Sequence, residues 1–278
     1  MSLNRVRTSM LLAAALGALA APALAQTAPA EPAAPAVRIP ASAEERAAYN
    51  RLDPLARSVF WSREMEVNPL DPVAGVELAE ALRQLGQHEQ AAQTARQVLT
   101  TQPGNVEAML EIGRAEIARG QAFYGIAPLE QARDLAPNDW RPLSLLGVAY
   151  QQVRRADDAQ GAWQRALALS PDNPNILTNA GMALATSGDA AGAEAMLRRA
   201  VAQPTATLQM RLNLAMTLGL QGKMAEAEQI IRRDLPPEAA ERNLQWLRAQ
   251  AQGQAIATAA VSPTDQASAR TWGSLQTP

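Results

Sequence analysis

Between Asp71 and Asp234 the sequence repeats itself every 34 residues. One phase of that stride carries Ala79, Gly113, Gly147, Gly181 and Ala215, and another carries Ala91, Gly125, Ala159, Ala193 and Ala227. A third holds Pro69, Pro103, Pro137 and Pro171. A fourth holds Gly86, Gly120, Gly188 and Gly222, with Arg154 as its one exception. Small residues in phase let two helices approach where they cross. A glycine can take positive φ at the end of the first helix, and a proline cannot continue the second. Each unit is therefore expected to be a pair of antiparallel helices whose apolar face is covered by the next pair.

The columns of large residues fit that reading: Leu78, Ile112, Leu146 and Leu214; Leu82, Tyr150, Leu184 and Leu218; and, from the second helices, Leu129, Trp163, Leu197 and Ile231. A 34-residue period with these offsets is the tetratricopeptide signature. The expected fold class is all-α, a right-handed superhelical solenoid of about five helix-turn-helix repeats with capping helices. The units are 72–105, 106–139, 140–173, 174–207 and 208–235. The second is irregular, with Glu116 in a column of large apolar residues and Pro128 inside the second helix, early enough to be tolerated in about its first turn, with a local kink as the alternative.

Residues 1–25 read as a signal peptide: Arg5 and Arg7, an apolar run from Met10 to Ala21, then Ala23-Leu24-Ala25 as the cleavage site. Residues 26–41, rich in alanine and proline, read as a disordered linker. Residues 42–71 open with Ser42 and Glu45 in capping-box spacing and are expected to form a degenerate repeat in which Phe60 and Trp61 seal the first full unit. Residues 236–251 are expected to form a C-terminal capping helix, with Leu244 and Leu247 facing the stack, and 252–278 a disordered tail. The protein is expected in the periplasm, peripheral at the outer membrane.

Several functions are disfavoured by what the chain contains. A net charge of −2 gives no drive toward nucleic acid. There is no cysteine, so thiol chemistry, disulfides and a lipid anchor on cysteine are not expected. The single histidine, His88, falls in the turn of the first repeat and reads as a solvated turn residue. No cofactor, metal site or catalytic group is expected, and the chain reads as a non-enzyme.

In such a stack the first helices line the concave face. Projection places Val76, Glu80 and Arg83 there from the first unit, Leu110 and Arg114 from the second, and Arg141, Val148 and Gln152 from the third. Asn179 and Met182 follow from the fourth, and Asn213, Met216 and Leu220 from the fifth. Apolar groups between amides and arginines suit an amphipathic helix or extended peptide of a protein partner. Asn179 and Asn213 stand where some repeat modules clamp a C-terminal carboxylate, but the accompanying lysines are missing.

Residues outside the repeat columns carry a narrower resemblance. Phe60-Trp61-Ser62-Arg63-Glu64-Met65-Glu66-Val67-Asn68-Pro69, Asn138-Asp139-Trp140-Arg141 and Ser144-Leu145-Leu146-Gly147-Val148-Ala149 resemble the TadD-like proteins of the tight-adherence (Flp) pilus assembly system. So do Arg211-Leu212-Asn213-Leu214-Ala215, Gly219-Leu220-Gln221-Gly222 and the exit Asp234-Leu235-Pro236-Pro237-Glu238. The resemblance spans about residues 50–250 and implies a scaffold for pilus assembly, with the outer-membrane secretin or other assembly components as partners. Members are commonly lipoproteins, from which this cysteine-free sequence departs.

Overall fold

The structure, a computed structural model, describes residues 39–259. The expected signal peptide, most of the linker and residues 260–278 of the tail lie outside the described residues. The unit that carries the repeats begins at Pro40.

Thirteen helices and no strands occur among the described residues. Helices α1 (Ala43–Tyr49) and α2 (Pro54–Val67) precede five pairs: α3 (Pro72–Gln84) with α4 (His88–Thr101), α5 (Val106–Ala118) with α6 (Phe123–Leu135), α7 (Trp140–Gln152) with α8 (Ala156–Leu169), α9 (Pro174–Ser187) with α10 (Ala190–Val201), and α11 (Leu208–Leu220) with α12 (Met224–Asp234). Helix α13 (Pro237–Ala259) closes the stack.

The starts of the first helices form one more column. Asp71, Asn105, Asp139, Asn173 and Thr207 each accept a hydrogen bond from a backbone N–H of the helix they precede. Caps of this kind are worth about 1 kcal/mol each. The turns after the first helices need a left-handed residue: Gly86, Gly120, Gly188 and Gly222 have φ of +77°, +72°, +92° and +83°. Arg154 takes the same conformation at φ +62°, which costs a side chain about 1–2 kcal/mol.

Close crossing explains the small-residue columns. A Cβ on Gly147 would lie 2.2 Å from Trp163 Nε1, and one on Gly113 would lie 2.5 Å from Leu129 Cδ2. The Trp163 indole fills the space that Gly147 leaves and donates to the Ser144 carbonyl at 3.2 Å. In the irregular second repeat, Glu116 is 1 % exposed and ion-paired with Arg96 and Arg119. Gly125 lets α6 approach α5 closely, since a Cβ there would lie 3.3 Å from Gly113 Cα and 3.4 Å from Glu116 Cβ. Helix α6 runs through Pro128 as one element.

Both ends of the stack are covered. Phe60 stacks on Tyr49 at 3.9 Å between ring centroids, and Trp61 is buried with its Nε1 donating to Asn50 Oδ1. At the other end Ala240, Leu244 and Leu247 of α13 are buried against α11 and α12. This helix corrects one expectation: it continues to Ala259 instead of ending at 251, so residues 252–259 are helical and not disordered. The apolar period does stop there. However, Gln250-Ala251-Gln252 and the alanines that follow are good helix formers, and no proline intervenes before Pro263.

Curvature follows from which helices approach one another. Each first helix lies against the next, α3 on α5, α5 on α7, α7 on α9 and α9 on α11, whereas no two successive second helices meet among the described residues. A stack that is tight along one edge and open along the other bends toward the tight edge. The first helices therefore form the inner, concave face of a superhelix.

Candidate protein-binding face

The thirteen residues projected onto the concave face fall into two groups of different character. In the first two repeats and at the start of the third, the charges are bonded to one another. Arg83 donates through Nε to Glu111 at 2.8 Å, and Arg114 holds the other oxygen of the same carboxylate, which is 2 % exposed. Arg57, reaching in from α2, donates to Gln84 at 2.8 Å and lies 3.6 Å from Glu80, which in turn accepts from Gln84. Arg141 grips Glu107 through two nitrogens, at 2.7 and 3.0 Å. The two residues are one repeat apart in sequence, so they occupy the same position on neighbouring helices. Gln152 donates to the Ile117 carbonyl at 3.2 Å.

Electrostatics on this side reflect crowding. Burial raises the pKa of Glu77, and the nearby Glu80 carboxylate raises it further. Asp139, which caps α7, stays below the usual carboxylate range: burial opposes its ionisation, but hydrogen bonds from Arg141 outweigh it. Arg141 is correspondingly held charged by Asp139 and Glu107.

The fourth and fifth repeats present a different surface. Helix α9 contains no charged residue, and α11 contains only Arg211. That guanidinium is committed to Asp234 at 2.6 Å and to the Ala206 carbonyl at 3.2 Å. Arg233 also bonds Asp234, and together they depress its pKa to about 2. Met182, Met216 and Leu220 are half-buried, packed at the edge of the C-terminal core and facing the concave side. The Asn179 side chain makes no hydrogen bond among the described residues, while Asn213 Oδ1 accepts from Gln209 at 2.9 Å.

One projected residue does not belong to the surface. Leu110 is completely buried, within the core formed by the second and third repeats, because α5 is packed between α3 and α7 as well as against α4 and α6. The remaining twelve are partly or fully exposed: Val76, Glu80, Arg83, Arg114, Arg141, Val148, Gln152, Asn179, Met182, Asn213, Met216 and Leu220. The structure also adds residues that the projection did not include. Asn243 and Trp246 of α13 line a shallow depression with Gln209, Leu212 and Met216, so the capping helix extends this surface by one more element. The signal for this was in the sequence, since Trp246 stands one residue before the buried Leu247 and so lies on the edge of the packed stripe.

Among the described residues no cluster of three or more histidine, cysteine or acidic side chains is placed to hold a metal ion, and no helix is long and apolar enough to cross a membrane. His88 begins α4 in the turn of the first repeat.

Family models described as Tetratricopeptide repeat match residues 76–140 and 144–207, and a second model of that description matches 207–235. Together they account for more than half of the chain, and the chain belongs to the tetratricopeptide repeat (TPR) family. Among solved structures it is similar to TTC0263, a thermophilic TPR protein of Thermus thermophilus, with a TM-score of 0.55 and 22% identity over 59% of this chain and 90% of that one. It is also similar to the APC/C hetero-tetramer Cut9-Hcn1, with a TM-score of 0.62 and 14% identity over 77% of this chain and 44% of that one. At such identities the likeness is one of fold. The repeats mark the chain as a scaffold for protein–protein interaction, a family role that in general involves no catalysis.

Proposed function

We propose that this protein is an exported scaffold of the bacterial cell envelope that works in the periplasm, where its concave face holds a polypeptide partner during assembly of a Flp (tight-adherence) pilus. The observation that carries the pilus assignment is the set of residues outside the repeat columns that resemble TadD-like proteins, from Phe60-Trp61 to the Asp234-Leu235-Pro236-Pro237-Glu238 exit. Export rests on the basic start, apolar run and small-x-small site of residues 1–25. The partners in this reading are the secretin or other assembly components, with the scaffold peripheral at the outer membrane. A preformed concave surface limits the ordering cost when a partner segment docks.

Deleting the gene should abolish surface pili and leave general envelope integrity intact, and complementation with the full-length gene should restore piliation. Normal piliation in the deletion strain would reject the assignment. The absence of cysteine, where family members are commonly lipidated, favours a second reading: a periplasmic TPR adaptor of another envelope or secretion machine. In that case piliation would be normal, and fractionation would still place the tagged chain in the periplasm.

A further inference from the structure

We infer that the C-terminal half of the concave face, built by α9, α11 and α13, recognises an internal, uncharged, aliphatic segment of its partner and discriminates against acidic segments and free C-terminal carboxylates. This rests on the reading of the concave face as the interaction surface and specifies what that surface accepts.

The inference begins with charge. No ionised side chain lies on α9, and the one on α11 is already bonded to Asp234. On α13, Glu241 and Arg248 pair with each other and with α12, and the exposed Arg242 stands one turn before Trp246. A carboxylate laid across Met182 and Met216 would lose hydration without gaining a counter-ion from α9 or α11. An unpaired charge buried in this way is among the most costly arrangements available. An aliphatic side chain at the same place is favoured by about 25 cal/mol for each Å² it removes from water. The two methionines add adaptability, because an unbranched thioether repacks around side chains of different shape. Leu212 and Trp246 continue the apolar surface toward the end of the stack. Between these groups, the Asn179 carboxamide, the Asn213 amide nitrogen and the Asn243 amide oxygen offer donors and acceptors to a partner's backbone without selecting a charge. Asn213 Oδ1 accepts from Gln209, and Asn243 Nδ2 donates to the Ala239 carbonyl. The N-terminal half cannot do the same work, because its arginines and glutamates are bonded to each other.

The test is a selection of random 12-residue peptides displayed on phage, panned against the full mature chain. Hits are then synthesised with either a free carboxylate or an amide terminus and measured by fluorescence polarisation. The expected hits are rich in leucine, isoleucine, valine or methionine and poor in charged residues, with equal affinity in acid and amide forms. Met216→Glu should weaken them by about tenfold or more, whereas Glu80→Gln on the other half should leave affinity within about twofold. Raising salt from 50 to 500 mM should change little, because apolar contacts are not screened. Thermal melts of both variants establish that they fold, and Met182→Glu provides an independent second site. Charged hits, preference for the free carboxylate, or hits sensitive only to Glu80→Gln would overturn this inference and keep the concave face as the binding surface. Hits indifferent to Met216→Glu, Met182→Glu and Glu80→Gln alike would overturn the reading of the concave face itself.

Discussion

The two halves of the concave face differ in what their polar groups are bonded to. In α3, α5 and the start of α7, carboxylates and guanidinia from successive helices close on one another, and Glu111 is buried beneath two arginines. In α9 and α11 the same edge is made of methionine, leucine and carboxamide side chains, and the one charged residue, Arg211, is bonded to Asp234. One column records the difference in a single line: Glu77, Glu111, Leu145, Asn179 and Asn213 stand 34 residues apart. A surface whose charges are internally satisfied holds neighbouring repeats in a fixed relation. A surface of half-buried apolar groups leaves energy to be gained when something covers it. The comparison therefore separates a half held together by its own charges from the half we infer to recognise a partner.

The largest expected effect comes from breaking that column where it is charged. Glu111→Ala leaves Arg83 and Arg114 without their shared partner and should destabilise the protein by about 1–3 kcal/mol in denaturant titration. Asn179→Ala, at the same repeat position, should stay within about 0.5 kcal/mol of wild type. Equal costs at the two sites would remove the distinction.

Acid sensitivity sharpens the comparison from the other side. Asp234 is the carboxylate bonded to the only charged residue of α11, and its folded pKa of about 2 lies below the ordinary 3.8. Its contribution is complete above the ordinary value and is lost as pH falls through the folded one. Asp234→Asn should therefore flatten the stability profile between these values. The lost contribution should be about 1 kcal/mol, since Arg233 is 61% exposed and water screens that bond.

The cross-repeat pair is weaker because it is exposed. A double-mutant cycle on Glu107 and Arg141 should give a coupling of about 0.2–1 kcal/mol that shrinks in 0.5 M salt. The smallest effect is expected at Glu77, whose raised pKa means that ionisation opposes folding. The stability associated with its proton is present below the ordinary carboxylate value and lost as pH rises through the folded one. Glu77→Gln should thus raise Tm slightly at pH 7, and the difference should vanish in acid.

Much of the fold was legible because its constraints recur in phase. Gly86, Gly120, Gly188 and Gly222 marked left-handed turns from sequence, and Arg154 at φ +62° shows that the repeat geometry holds even where the residue resists it. The capping column from Asp71 to Thr207 was present in the sequence too, but its mixture of Asp, Asn and Thr hides a common role. The face was harder to read. Projection assigns a direction to a side chain but not the depth of the neighbouring helix, so Leu110 was placed on a surface that α5 does not expose there. Pairing was also invisible: Arg83 and Glu111 belong to different repeats and different phases, and only the packing of α3 on α5 brings them to 2.8 Å. The extra turns of α13 were missed because apolar periodicity, which reports packing, ends before helix propensity does.

The most direct measurement is amide hydrogen exchange on the full chain, with and without a saturating selected peptide. The division of the face predicts new protection in α9, α11 and α13 around Asn179, Met216 and Trp246, with α3 and α5 unchanged. Protection centred on α3 and α5, around Arg83 and Glu111, would contradict it.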